Sequence, residues 1–169
     1  VNAGQVDAVR AVLQQAFEEG GPPQWVARQV RDVVGLTTNQ TSRYDKFVTK
    51  LEDEEVDAEE VAARAEKFAG ALVKQRADTI ARTELLDASN AGQIEAWHQA
   101  REDDLIRTQE VQKEWMITDD DRLDQEICEP MDGQRRRLDA PFKTGDGREI
   151  QRPTAHPRCR CTMRLIYGR

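Results

Sequence analysis

The sequence predicts an α+β fold: a mainly helical N-terminal part built on one long helix, followed by a small metal-stapled α+β module. Three observations carry that prediction. Apolar residues recur at helical spacing from Gln5 to about Gln99. From Glu110 the period falls to two, as in a strand with one covered face. All three cysteines and one of the two histidines then fall between Cys128 and Cys161, with His156, Cys159 and Cys161 packed into six positions. The expected division is 1–109 for the helical region and 110–169 for the module.

Within the helical region, Gln5 to Glu18 places Val9, Val12, Leu13, Ala16 and Phe17 on one stripe, and Gly20-Gly21 stops the helix. Pro22-Pro23 opens a second helix, with Trp25, Val26, Val30, Val33 and Val34 inward and Gly35 at its end. After a polar turn over 36–40, a third helix is expected from about Thr41 to Leu51, with Tyr44, Phe47, Val48 and Leu51 as its stripe. An acidic break follows at 52–55. Asp57 to Glu60 has the form of a capping box, in which an Asp57 oxygen accepts from the backbone and Glu60 reaches back. It opens the longest helical stretch, whose apolar side includes Val61, Phe68, Leu72, Ile80, Leu85, Ile94 and Trp97. A bend or break is expected over 87–92, where Asp, Ser, Asn and Gly bring poor helix formers together.

In the module, Val111, Lys113, Trp115 and Ile117 alternate with Gln112, Glu114 and Met116 along a first strand. A helix is expected just after the Asp119-Asp120-Asp121 turn, which would cap it. Pro141 to Ile150 reads as a hairpin about Gly145-Asp146-Gly147, and Thr162 to Tyr167 as a last strand.

At 169 residues the chain holds one ordinary domain, or a helical part with an appended module. Aromatic residues are only 5% and charged residues 34%, so the core is modest and a small module gains from a metal staple. The net charge of −7 is uneven: residues 1–109 hold 13 Lys/Arg against 20 Asp/Glu, and residues 110–169 hold 12 of each. No acid follows Glu149, whereas Arg152, Arg158, Arg160, Arg164 and Arg169 do. No run of about 18 apolar residues exists to span a membrane, and no signal peptide is read. The start at Val1 without methionine is expected of a fragment or a processed product.

Cys128, His156, Cys159 and Cys161 offer three thiolates and one imidazole, a soft four-coordinate set suited to structural zinc. Three unpaired thiols suit a reducing compartment better than a disulfide framework. The alternatives are buried thiols or a single disulfide. The carboxylates of Asp119 to Asp121 invite a magnesium reading with His156 as base, but three adjacent acids cannot all face one ion, and capping is the simpler account. Arg82 is expected to pair with a carboxylate on another element, and Asn90 to satisfy backbone at the helix break. His98 reads as structural. Arg135, Arg136, Arg137, Arg158, Arg160 and Arg164 are candidates for contact with DNA phosphates or with an acidic partner surface. Nothing has the spacing of a nucleophile elbow, a phosphate loop or a dinucleotide fingerprint.

The cluster Trp115-Met-Ile-Thr-Asp-Asp-Asp-Arg122, the turn Cys128-Glu-Pro-Met-Asp132-Gly133, and the closing His156-Pro-Arg-Cys-Arg-Cys161 resemble the Mu F-like head morphogenesis proteins of tailed bacteriophages, also called minor head or minor capsid proteins. Ile80-Ala-Arg-Thr-Glu84 followed by Asn90-Ala-Gly92 is similar to the same family's helical signature, and the likeness covers roughly 60–165. Members often carry Cys-x-x-Cys before the Asp-Gly turn, and this chain has Gln125 at the first of those positions. The resemblance implies a protein that associates with the portal or the capsid interior during assembly and travels with the genome. It also implies oligomeric assembly with other head proteins, a place in the virion and, during assembly, in the host cytoplasm. Weak, non-specific DNA contact through the arginines accompanies that reading. The competing class is an enzyme, a metal-dependent nuclease or toxin-like domain using the His-Cys region.

Overall fold

The computed structural model describes residues 3–106 and 111–167. Among these residues four helices are followed by five short strands: α1 (Ala3–Glu19), α2 (Pro23–Arg31), α3 (Thr38–Asp53), α4 (Ala58–Glu102), β1 (Val111–Met116), β2 (Arg135–Arg137), β3 (Phe142–Lys143), β4 (Glu149–Ile150) and β5 (Thr162–Tyr167). Helices thus precede a small sheet region, as the change of period implies. The chain forms two compact units that divide at Arg82/Thr83, inside α4. The boundary expected at 109/110 lies outside the described residues, as do Glu110 and Arg169. No helix among the described residues is long and apolar enough to cross a membrane.

In the first unit, Gly20 takes a left-handed φ of 69° and the Gly21 N–H returns to the Ala16 carbonyl at 2.7 Å, closing α1. Pro22 and Pro23 start α2, which buries Val26, Ala27 and Val30. This helix stops at Arg31, short of the expected Gly35. The carbonyl of Val30, in its last turn, is taken by the Val33 and Val34 N–H groups. A second difference lies at α3, which begins at Thr38 rather than Thr41. Thr37 and Gln40 form a full capping box, so the polar run expected as a turn is the helix start. Phe47 of α3 stacks on Phe68 of α4, ring centroids 4.3 Å apart. At the start of α4, Asp57 accepts from the Glu59 N–H at 2.9 Å, but Glu60 pairs with Arg64 instead of reaching back.

In the second unit, β2, β1 and β5 form an antiparallel sheet in that order, and β3 pairs with β4 across the Gly145-Asp146-Gly147 turn. Gly147 adopts a φ of 87° there, and its N–H closes on the Thr144 carbonyl at 2.9 Å. Trp115, Met131, Phe142, Met163 and the three cysteines make the core, with Ile94 and Trp97 of α4 packed against it. The expected bend over 87–92 does not form, and α4 runs unbroken. Asp87 receives Arg152, Asn90 accepts from the Thr162 hydroxyl at 3.2 Å, and Ile94 and Trp97 enter the core, so tertiary contacts outweigh weak propensity. The helix expected after Asp121 is also absent. The Asp120 and Asp124 carboxylates take the N–H groups of Arg122 and Ile127 in local turns, and Pro130 supplies no N–H, leaving only a 3-10 turn at Glu129–Met131.

Candidate metal centre

The chain brings Cys128 to the core by the turn that Asp124 caps, just before the 3-10 turn, and brings His156, Cys159 and Cys161 there by the loop before β5. Cys128, Cys159 and Cys161 are all buried. One donor atom from each of Cys128, His156 and Cys159 lies within 4.8 Å of the others, and among the described residues these three form the cluster close enough to hold an ion. The Cys128 and Cys159 sulfurs are 3.8 Å apart. Two thiolates bound to one tetrahedral zinc at about 2.3 Å are roughly 3.8 Å apart, so this pair already has the spacing of a chelate. His156 Nε2 is 3.0 Å from the Cys128 sulfur, while Nδ1 lies 2.9 Å from the Pro157 carbonyl. With Nδ1–H donating to that carbonyl, the Nε2 lone pair is directed inward, the tautomer a metal needs.

A cavity of about 10 Å³ lies among Cys128, His156, Cys159 and Cys161, with Arg122, Arg158 and Arg160 on its border. That is about one water-sized probe, room for an ion and not for a substrate. The residues present therefore fit a zinc ion. The thiols titrate as a set. Hydrogen bonds from Cys128 and then Cys161 hold the Cys159 thiol far below its ordinary range. Hydrogen bonding to Cys159 and Cys161, together with burial, pushes Cys128 well above it. Cys161 is pulled down by Cys128, but its hydrogen bond with Cys159, burial and the Cys159 charge raise it overall.

The loop that carries these ligands is tied down on two sides. Thr83 Oγ1 of α4 accepts the Arg158 N–H at 3.0 Å, where Arg158 itself sits at a φ of 65°. Arg160 pairs through both guanidinium nitrogens with Asp120, and the Thr118 hydroxyl donates to the Arg160 carbonyl at 3.1 Å. The Asp-rich turn thus engages an arginine of the ligand loop, and Arg122 contributes its main-chain N–H to the same carboxylate. Thr83 is the residue sequence reasoning did not single out by role. Its place in the Arg82-Thr83-Glu84 run was the available signal. Arg82 forms no ion pair among the described residues. His98 lies 3.8 Å from Asp139, which Arg101 also binds at 2.9 Å.

The candidate contact arginines are spread over several intramolecular partners. Arg135 and Arg164 stand on either side of Glu114 in the sheet register and both bind its carboxylate, Arg135 Nε at 2.6 Å and Arg164 Nε at 2.9 Å. Arg136 donates to the Arg135 carbonyl at 2.7 Å. Arg137 contributes its charge to Asp139, and Arg158 lies in the ligand loop.

The sequence profile of the Phage Mu protein F like protein family matches residues 7–164. No curated protein and no solved structure matches the chain.

Proposed function

The chain belongs to the Phage Mu protein F like family, and from that premise we propose that it is a head-morphogenesis protein that works by assembly, associating with the portal or another head component. The observation that carries this reading is the family match over nearly the whole chain. The helical unit offers a partner-facing surface: Val6 and Phe17 of α1 are 41% and 51% exposed and, eleven residues apart, lie on one side of the helix. In this reading Cys128, His156, Cys159 and Cys161 hold one structural zinc ion. When bound, zinc cross-links the turn after β1 to the loop before β5 and supplies folding free energy to a small core. The chain's own residues orient the ligands: Pro157 fixes the imidazole, Asp124 shapes the Cys128 turn, and Thr83 anchors the ligand loop.

A tetrahedral set closed by four protein donors leaves no position for a reactive water, which favours assembly over a nuclease or toxin-like enzyme. DNA contact is a minor part of the proposal, because Arg135, Arg160 and Arg164 are engaged with Glu114 and Asp120. Its affinity should be weak, sequence-independent and lost near physiological salt. The deciding experiment is capture of purified portal and head proteins by the tagged chain, with elemental analysis of the chain purified without chelator. Binding to a head component with about one zinc per chain is expected. Metal-dependent plasmid cleavage without affinity for any head component would overturn the assembly reading.

A further inference from the structure

The three-stranded sheet ends differently on its two sides. β2 forms one edge with three residues, all arginine, and so short and charged an edge discourages a further strand. β5 forms the other edge with six residues and one charge, Arg164. The pairing of Trp115 shows which β5 groups face outward. Its N–H donates to the Gln134 carbonyl and its carbonyl accepts from the Gly133 N–H, both at 3.0 Å, so the Trp115 main chain points to the β2 side. Such groups alternate along an antiparallel strand. Glu114 therefore turns its main-chain groups to Arg164, its partner in β5, while Met163, Leu165 and Tyr167 turn theirs away from β1. No other strand among the described residues lies on that side to receive them.

The start of this edge is covered: the Thr162 hydroxyl donates to Asn90 of α4 at 3.2 Å, and Met163 is 2% exposed. From Arg164 to Tyr167 the strand is half-buried or exposed, with Tyr167 at 63%. A row of alternating charge also stops here. Arg135, Glu114 and Arg164 lie side by side across β2, β1 and β5, joined through the Glu114 carboxylate. The row ends on a cation that binds Glu114 through Nε and Nη2, and its Nη1 makes no hydrogen bond among the described residues. A fourth strand continues the row best with an acid. β5 itself contains no acid, so β5 of a second copy cannot supply one. We propose that the edge from Arg164 to Tyr167 takes an extended, acidic segment of a partner protein as a fourth strand, its carboxylate opposite Arg164 and an apolar residue opposite Leu165. The segment runs antiparallel, like the other strands of this sheet and in the more stable of the two pairings. This deepens the assembly reading, on which it rests for the source of the segment, and gives it a contact surface in the second unit.

The probe is the peptide acetyl-Thr-Val-Thr-Val-Glu-Val-amide, added to the full chain labelled with nitrogen-15. With its glutamate opposite Arg164, the valine before the glutamate lies opposite Leu165. The Leu165 and Tyr167 amide protons should move downfield and exchange more slowly with solvent. Methylating the main-chain nitrogen of that valine removes the donor to the Leu165 carbonyl and should weaken binding about tenfold. Replacing the glutamate of the probe by lysine should weaken it about 3- to 10-fold, more at low salt. Both changes are made in the probe, so neither can unfold the chain. No binding, binding that the methylated probe matches, or binding indifferent to the charge swap overturns the proposal. So does a concentration-dependent dimer in sedimentation whose Leu165 amide is already protected, because a second copy then fills the edge. Probe binding by a chain that captures no portal or head protein leaves the edge standing and removes the assembly reading. Capture of a head protein by a chain that ignores the probe does the reverse.

Discussion

Arg158 donates its main-chain N–H to the Thr83 hydroxyl across 75 positions of sequence, at 3.0 Å. The bond ties α4 to the loop between His156 and Cys159 at a residue with a left-handed backbone, where few side chains rest comfortably. Thr83→Val keeps the shape and removes the acceptor. It should lower stability by about 1 kcal/mol and weaken zinc binding, read by urea unfolding and by competition with a zinc-binding dye. Unchanged values for both would show that the ligand loop holds itself.

Glu114 should confer stability that disappears in acid. Its side chain is only 6% exposed, whereas the two arginines that bind it are 60% and 56% exposed. Hydrogen bonds from Arg135 and then Arg164 hold its carboxyl below the ordinary carboxylate range, against an opposing effect of burial. A depressed folded-state pKa stabilises the fold above the unfolded pKa, and that contribution is lost as pH falls through the folded value. Glu114→Gln should therefore cost on the order of 1 kcal/mol at pH 7, since the arginines remain solvated. Unfolding midpoints of the two proteins should converge below about pH 4. A gap that is constant down to pH 2 would assign the effect to shape rather than charge.

Lys113 gives the same rise of stability with pH at the other end of the scale. Its Nζ donates to the Gln151 carbonyl at 2.7 Å and lies 5.0 Å from the Phe142 ring centroid. Burial pushes its pKa down to about 8, and the Asp139 charge offsets this only in part. An unfolded lysine stays protonated to about pH 10, so between about 8 and 10 the unfolded chain binds more protons than the folded one. Stability contributed by this group should rise with pH across that window. Denaturant midpoints of wild type relative to Lys113→Met should show that rise, and a flat difference would mean the ammonium is not desolvated.

Much of this was legible from periodicity and residue type. The switch of period located β1, the Gly145-Asp146-Gly147 run located its hairpin, and the clustering of Cys and His pointed to side chains that line one cavity. What could not be read depended on partners distant in sequence. The 87–92 run looked weak because Asp, Asn and Gly were judged by propensity alone, while Arg152 and Thr162 decide their conformation. Arg135 and Arg164 looked like free surface charge because Glu114 meets them only through strand register. No helix follows Asp121 because the Asp120 and Asp124 carboxylates bind main-chain N–H groups within local turns. The Thr37-x-x-Gln40 pattern is a local signal for the start of α3 that the sequence does carry.

Gly145 should not tolerate a side chain. A Cβ built there would lie 1.8 Å from the Glu126 carbonyl oxygen, and the Gly145 N–H donates to the Ile127 carbonyl at 3.1 Å. Both chains at this contact are main chain, so neither can swing aside. Gly145→Ala should cost about 3 kcal/mol and loosen the turn that delivers Cys128. Gly92→Ala, where nothing lies within 4 Å, should instead be neutral or mildly stabilising in thermal melts.

The contacts of α4 in the second unit come from Thr83, Asp87, Asn90, Ile94, Trp97 and Arg101, spaced four, three, four, three and four residues apart. Four of these positions meet separate polar partners and two pack against one core, so this stretch tolerates substitution one residue at a time but not a change of length. One inserted or deleted residue between Thr83 and Arg101 rotates everything beyond it by about 100° and turns the remaining contacts away from their partners. Seven residues would nearly restore the phase, yet carry each side chain about 10 Å along the axis past its mate. Across descendants of this chain, insertions should accumulate in the loops and be purged from this part of the helix.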